Sequence, residues 1–186
     1  ILINNKSVRI RSPLDAVKNG ISLIPEDRKK DALILILELY KNITLPSLAQ
    51  FSGKGILLTG KEFDITQYFI KKLDIKTSGV NQIMKYLSGG NQQKAAISKW
   101  LQTEPKVLIM DEPTQGIDVK AKVEIYTIMR NLAKSGACVI FVSSEVSEIV
   151  KVSDRILVLS QGRISGEFKH GVSQEEIMRT ILKEDK

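Results

Sequence analysis

The sequence predicts an α/β fold, with a parallel sheet core and a helical region set into it, and three observations predict it. After Pro105, short apolar segments alternate with amphipathic ones, the rhythm of strands joined by helices in a parallel sheet. Val107-Leu108-Ile109-Met110 is apolar throughout, as a strand covered on both faces must be. From about Asp27 to Thr103 the pattern is mostly helical. The expected organisation is one domain, 1–186, with a helical part at 27–103 and a core built from 1–26 and 104–186.

The elements follow in order. Ile1-Leu2-Ile3 and Val8-Arg9-Ile10 flank a polar turn, Asn4 to Ser7, and read as a hairpin. Ser12-Pro13 pairs a capping residue with a first-turn proline and opens a short helix to about Lys18. Gly20 breaks to a buried strand, Ile21 to Ile24. Leu33 to Leu37 fits a strand or a buried helix equally. Lys61 to Leu73 places Phe63, Tyr68, Phe69 and Leu73 near one helix face. Ser88 caps a helix from Gly89 to about Gln102. Strands then fall at Val107 to Met110, Ala137 to Val142, Arg155 to Leu159 and Arg163 to Phe168, with a Gln161-Gly162 turn between the last two. Helices fall at Val119 to Ala133, Glu145 to Lys151 and Ser173 to Leu182.

Composition narrows the function classes. Of the 186 residues, 42% are apolar and 26% charged, an ordinary balance for a globular protein. The longest apolar runs, such as Ala32 to Leu37, are too short to span a bilayer. No charged-then-apolar leader is present, and a single cysteine, Cys138, cannot form an internal disulfide, so a reducing compartment is expected. The net charge of +7 is scattered, with Arg28-Lys29-Lys30 its densest cluster, and aromatics are 5%; no nucleic-acid surface is expected.

Two segments carry chemistry. Val107 to Met110 ends in Asp111-Glu112, and ligand sites of parallel sheets lie at the carboxyl ends of strands. One acid there can hold Mg²⁺ through water while the next orients an attacking water. Taken alone, the pair fits two surface acids in a capping turn as well. Leu87-Ser88-Gly89-Gly90-Asn91-Gln92-Gln93-Lys94 is more specific. Glycines at a helix start let a phosphate approach the backbone, and the helix terminus favours the anion.

Leu87 to Lys94 resembles the signature motif of ATP-binding-cassette (ABC) ATPases, and Val107 to Glu112 resembles their Walker B strand with its catalytic glutamate. Pro113-Thr114 and Gly116-Ile117-Asp118 are similar to the turn and D-loop that follow. Ile24 to Lys29, Asn91 to Lys94, Gly116 to Val119 and Val142 to Glu145 are similar to the second cassette of ribose, galactose and xylose importer ATPases. The resemblance implies a P-loop NTPase-like domain using ATP and Mg²⁺, with Asp111 holding the metal through water and Glu112 catalytic. It implies that Ser88, Gly89, Gly90, Asn91 and Gln92 complete the ATP site of a partner cassette, with Asp118 beside them. The partner is the N-terminal cassette of the same subunit or a second cassette subunit. Permeases at the cytoplasmic face of the membrane, and indirectly a sugar-binding protein, complete the expected assembly.

The sequence departs from the family pattern in three places. Ser144 stands at the switch-histidine position and cannot supply an imidazole contact. Glu26 stands at the Q-loop position, where a carboxylate repels phosphate; it also reads as a solvated acid beside Arg28 and Lys29. No G-x-x-x-x-G-K-S/T loop occurs, since Gly53-Lys54-Gly55 and Gly60-Lys61 lack its spacing. The chain is therefore expected to start downstream of a phosphate loop and to be inactive by itself. The competing reading is a non-transport cassette of DNA repair or translation. The span from Glu26 to Ser88 leaves no room for a chromosome-type coiled coil, and no basic arm is visible. His170 reads as a loop residue, Cys138 and Met110 as core strand residues, Trp100 as packing against the sheet, and Tyr126 with Met129 as a helix face.

Overall fold

The computed structural model describes residues 1–53 and 55–182, so Lys54 lies outside the described residues. The chain falls into two compact units, 1–140 and 141–186.

The first unit contains β1 (Leu2–Ile3), β2 (Lys6–Ser7), α1 (Pro13–Lys18), β3 (Ile21–Ile24), α2 (Leu39–Thr44), β4 (Ser52–Gly53), β5 (Ile56–Leu57), α3 (Thr59–Lys72), α4 (Gly89–Leu101), β6 (Val107–Asp111), α5 (Val119–Lys134) and most of β7 (Cys138–Val142). A π-helical turn, Arg28–Ala32, follows β3. β3 and β6 pair in parallel, from Ile21 with Val107 to Ile24 with Met110, and β7 lies on the far side of β6. Ile24, Leu108 and Met110 are fully buried. The α/β expectation with a parallel pair at its centre therefore holds.

Local chemistry explains most boundaries. Ser12 Oγ accepts the Asp15 amide at 3.1 Å, and Pro13 opens α1 as expected. The first hairpin is tighter than expected: Leu2 pairs with Ser7 and Ile3 with Lys6. Asn4 and Asn5 adopt φ of 50° and 61°, a two-residue turn whose twist suits a hairpin, so Lys6–Ser7 become strand. Leu33 to Leu37 is neither strand nor helix. The buried Asn42 side chain holds it, accepting the Ile34 amide at 2.7 Å and donating to the Ile34 and Glu38 carbonyls at 3.0 and 3.2 Å.

On α3 the covered face is Glu62, Thr66, Phe69 and, just past its end, Leu73. Tyr68 is exposed, one position round the helix from Phe69, which corrects the expected face. Phe63 instead meets Tyr40 edge-to-face, 4.8 Å between ring centres. Ala121, Ile125 and Met129 form the covered stripe of α5. Trp100 is half-buried and lines a cavity of about 350 Å³ with Ile21 and Leu23 of β3. Cys138 is exposed, contrary to the core expectation: β7 stands at the end of the described sheet order, and Ile140 and Val142 on the same face are exposed too.

The second unit holds α6 (Val146–Val152), β8 (Arg155–Ser160), β9 (Arg163–Lys169) and α7 (Gln174–Leu182). β8 and β9 form an antiparallel hairpin closed by Gln161 and Gly162, both with positive φ (47° and 76°). Ile156, Val158 and Ile177 form its core, flanked by Val146, Ile149 and Phe168. Ser173 Oγ accepts the Glu176 amide at 3.2 Å and starts α7. His170 is exposed, its Nδ1 3.1 Å from the Ser153 carbonyl oxygen, as expected for a loop histidine.

Candidate functional site

The site residues of the first unit gather where three loops meet: the turn after β3, the start of α4, and the turn after β6. Ser88 has extended backbone (φ −62°, ψ 158°) and caps α4. Its Oγ accepts from Asn91 Nδ2 at 2.8 Å and from the Asn91 amide at 3.5 Å. Ser88 is exposed, Gly89 half-buried and Gly90 buried. Amides of a first helical turn have no acceptor one turn below, so this end of α4 carries donors and positive dipole. Asn91 Oδ1 is engaged by the Lys76 amide at 2.8 Å. Gln92 points inward: it is 4% exposed and donates Nε2 to the Met84 carbonyl at 3.2 Å. Its side chain is therefore held inside the unit, away from the open end of the helix.

Both glycines are required by close packing. A Cβ at Gly90 would stand 2.7 Å from the Ala121 Cβ. A Cβ at Gly89 would stand 2.9 Å from Arg28 Nη2 and 3.3 Å from the Gly116 carbonyl oxygen. The side of the motif where side chains would project is thus filled by α5, by Arg28 and by the loop after β6.

That loop begins with Asp111, the last residue of β6. Glu112 follows at φ 41°, a left-handed conformation uncommon for a residue with a side chain and of the kind that collects at functional sites. The Gln115 amide donates to the Glu112 carbonyl at 3.1 Å and closes the turn. Gly116 takes φ 65°. Asp118 then caps α5, its Oδ1 accepting the Ala121 amide at 3.0 Å.

The turn after β3 carries Glu26, exposed, whose Oε1 accepts from Gln115 Nε2 at 3.4 Å. Asp27 Oδ1 accepts the Lys29 and Lys30 amides at 3.0 and 3.1 Å. The Lys30 amide is the main reason that the Asp27 carboxyl titrates below its ordinary value. Glu26, Asp27, Arg28, Lys29, Gln115 and Gly116 enclose a shallow cavity of about 250 Å³. Arg28, which in the sequence is one charge of the Arg28-Lys29-Lys30 cluster, lies at the centre of this meeting point. Its only signal in the sequence was its place in the Ile24 to Lys29 motif. Ser144 belongs to the second unit, where Ser143 Oγ accepts the Glu145 amide at 3.0 Å and turns the chain into α6.

Among the described residues no group of three or more His, Cys, Asp or Glu is placed to hold a metal. Asp111 and Glu112 are consecutive in the chain, at the carboxyl end of β6.

The sequence profile of the ABC transporter family matches residues 1–115. The chain belongs to this family. The xylose import ATP-binding protein of Thermoanaerobacter pseudethanolicus is 46% identical over 179 residues, 96% of this chain and 35% of that protein. The ribose import ATP-binding protein of Bacillus subtilis is 48% identical, over 96% of this chain and 36% of that protein. The cassette described here thus spans about a third of the length of the curated relatives it matches. Among solved structures, a dimeric ATP-binding cassette in a post-hydrolysis state bound to ADP and Pi matches with a TM-score of 0.72 at 22% identity, covering 92% of this chain and 73% of that one. A nucleotide-free ATP-binding cassette from an ABC transporter matches with a TM-score of 0.73 at 18% identity, covering 98% and 72%. The fold is that of an ABC ATPase cassette. No helix among the described residues is long and apolar enough to cross a membrane.

Proposed function

We propose that this chain is the C-terminal cassette of a monosaccharide importer's ATP-binding subunit, and that its main contribution to ATP hydrolysis is made across an interface with a partner cassette. The observation that carries the reading is the start of α4: an exposed capping serine and a half-buried glycine at a helix terminus, with the loop after β6 wedged beside it. The names of the ribose and xylose import relatives, matched across nearly the whole chain, support the transport class over repair or translation.

Ser88 Oγ and the first-turn amides of α4 would donate to the terminal phosphate of a nucleotide held by the partner. Asp118, fixed as a helix cap, would keep the adjacent loop in place at that interface. In the chain's own site Asp111 would hold Mg²⁺ through water, and the ion when bound offsets phosphate charge. Glu112 would orient the attacking water. Glu26 would weaken this site by repelling phosphate, and Ser144, at the position where the family carries its switch histidine, cannot supply an imidazole. The helical segment 27–103 would face membrane permeases at the cytoplasmic side, and a sugar-binding protein would deliver the sugar to them.

The test uses the intact two-cassette subunit. Ser88→Arg abolishes ATP hydrolysis and transport, because a long cation at the helix start blocks the phosphate. Glu112→Gln leaves substantial hydrolysis. If Glu112→Gln is the more damaging of the two, the assignment across the interface is wrong.

A further inference from the structure

We propose that Arg28 is a positioning residue that fixes the signature helix start against the loop after β6, an inference that rests on the cassette reading above. Arg28 enters from a turn whose geometry is already set by Asp27 capping Lys29 and Lys30. Its guanidinium donates Nη1 to the Gln115 carbonyl at 2.8 Å and Nη2 to the Gly116 carbonyl at 3.2 Å. Two donors of one rigid plane on two consecutive carbonyls fix the loop's position and its orientation together.

The other side of the guanidinium faces α4. Nη2 lies 2.9 Å from where a Cβ of Gly89 would stand, and 3.7 Å from where a Cβ of Gly116 would stand. Nε is buried with no hydrogen-bond acceptor. Burial therefore pulls the guanidinium below its ordinary pKa, with the charge of Asp27 acting the other way. A partly desolvated cation with one donor unsatisfied is a costly object to keep in a surface loop. What it secures here is the spacing between three segments that carry Glu26, Ser88-Gly89 and Glu112 to Asp118. The β3–β6 ladder ends at Ile24 and Met110, so beyond it no strand pairing among the described residues holds these segments together.

Arg28 touches none of the reacting atoms in this scheme. It acts by holding Ser88 and Gly89 at a fixed distance from the Gln115-Gly116 backbone, so that the helix start meets the partner's nucleotide in one position. A lysine keeps the charge and much of the stem, but as a single point it cannot occupy both carbonyls in one plane.

The experiment compares Arg28→Lys, Arg28→Met and Ser88→Arg in the intact two-cassette subunit with its permeases, reading kcat, KM for ATP, and amide hydrogen exchange over residues 112–118. The expected result is a loss of at least about tenfold in kcat for both Arg28 variants, about 1.4 kcal/mol of barrier, with KM changed by less than about threefold. Exchange over 112–118 speeds up in both. If Arg28→Lys keeps wild-type kcat and exchange while Ser88→Arg abolishes hydrolysis, the positioning role is refuted and the cassette reading stands. If Ser88→Arg leaves hydrolysis intact, both fall. Should Arg28→Met unfold, the exchange and kcat of Arg28→Lys still decide.

Discussion

Gly90→Ala offers a direct test of why the signature glycines are there. The new Cβ would lie 2.7 Å from the Ala121 Cβ, whereas carbon atoms in good contact sit about 3.5–4.0 Å apart. Neither atom is the end of a flexible side chain. Each is fixed to a helix backbone, so α4 and α5 must part by roughly 1 Å. Overpacking of this kind costs about 1–3 kcal/mol. The better helix propensity of alanine offsets about 1 kcal/mol at most. The expected net loss is about 1–2 kcal/mol. Gly60→Ala is the control, since Gly60 lies in α3 with nothing within 4 Å of its Cβ position. It should gain about 0.5–1 kcal/mol. With a urea slope of about 3 kcal/mol/M, Gly90→Ala lowers the midpoint by about 0.5 M and Gly60→Ala raises it by about 0.2–0.3 M. Adding Ala121→Gly removes the clash, so the double-mutant cycle should show about 1 kcal/mol or more of coupling. Equal stability of Gly90→Ala and Gly60→Ala, or an additive cycle, would refute the packing argument.

Two other expectations follow from the geometry. Glu112 sits at φ 41°, so Glu112→Gly should be more stable than Glu112→Ala by about 1 kcal/mol in urea unfolding, both variants having lost the carboxylate and only the alanine keeping a Cβ. Lys99 is buried, with Nζ 2.6 Å from the Ala32 carbonyl oxygen, and burial lowers its pKa. Between that lowered value and the ordinary lysine value of about 10.4, the unfolded chain binds more protons than the folded one, so stability rises with pH there. Measured from neutral to alkaline pH, the native chain should gain stability relative to Lys99→Met, and parallel curves would contradict the sign.

Features whose cause is local in the chain were legible in the sequence. Ser12-Pro13, the Gln161-Gly162 turn, the Ser88 cap and the apolar β6 strand all declare themselves within a few residues. Features decided by a distant segment were not. Nothing within α4 marks Lys94 for burial, yet it is 3% exposed, with its ammonium on the Asp74 carbonyl and Glu124 at 2.9 and 2.7 Å. Cys138 sits in an apolar run, yet its exposure depends on what lies beside β7, which periodicity does not encode. Arg28 reads as one charge among three until the fold brings Gln115 and Gly116 to it.

The glycine pair shows the limit most clearly. The missing Cβ atoms of Gly89 and Gly90 do not clear a path for phosphate on the side where side chains project. In the structure the space where a Cβ would project is taken by Arg28 Nη2, the Gly116 carbonyl and the Ala121 methyl. An anion reaching this helix start therefore has to come along the axis of α4, toward the first-turn amides and the exposed Ser88. What the glycines do in the structure is a matter of packing. They let α5 and the loop after β6 close against the helix, beside the caps made by Ser88 and Asp118. On this account, enlarging Gly90 and loosening Arg28 damage the same thing by opposite means. One pushes α5 off α4, and the other lets the loop after β6 drift from the helix start.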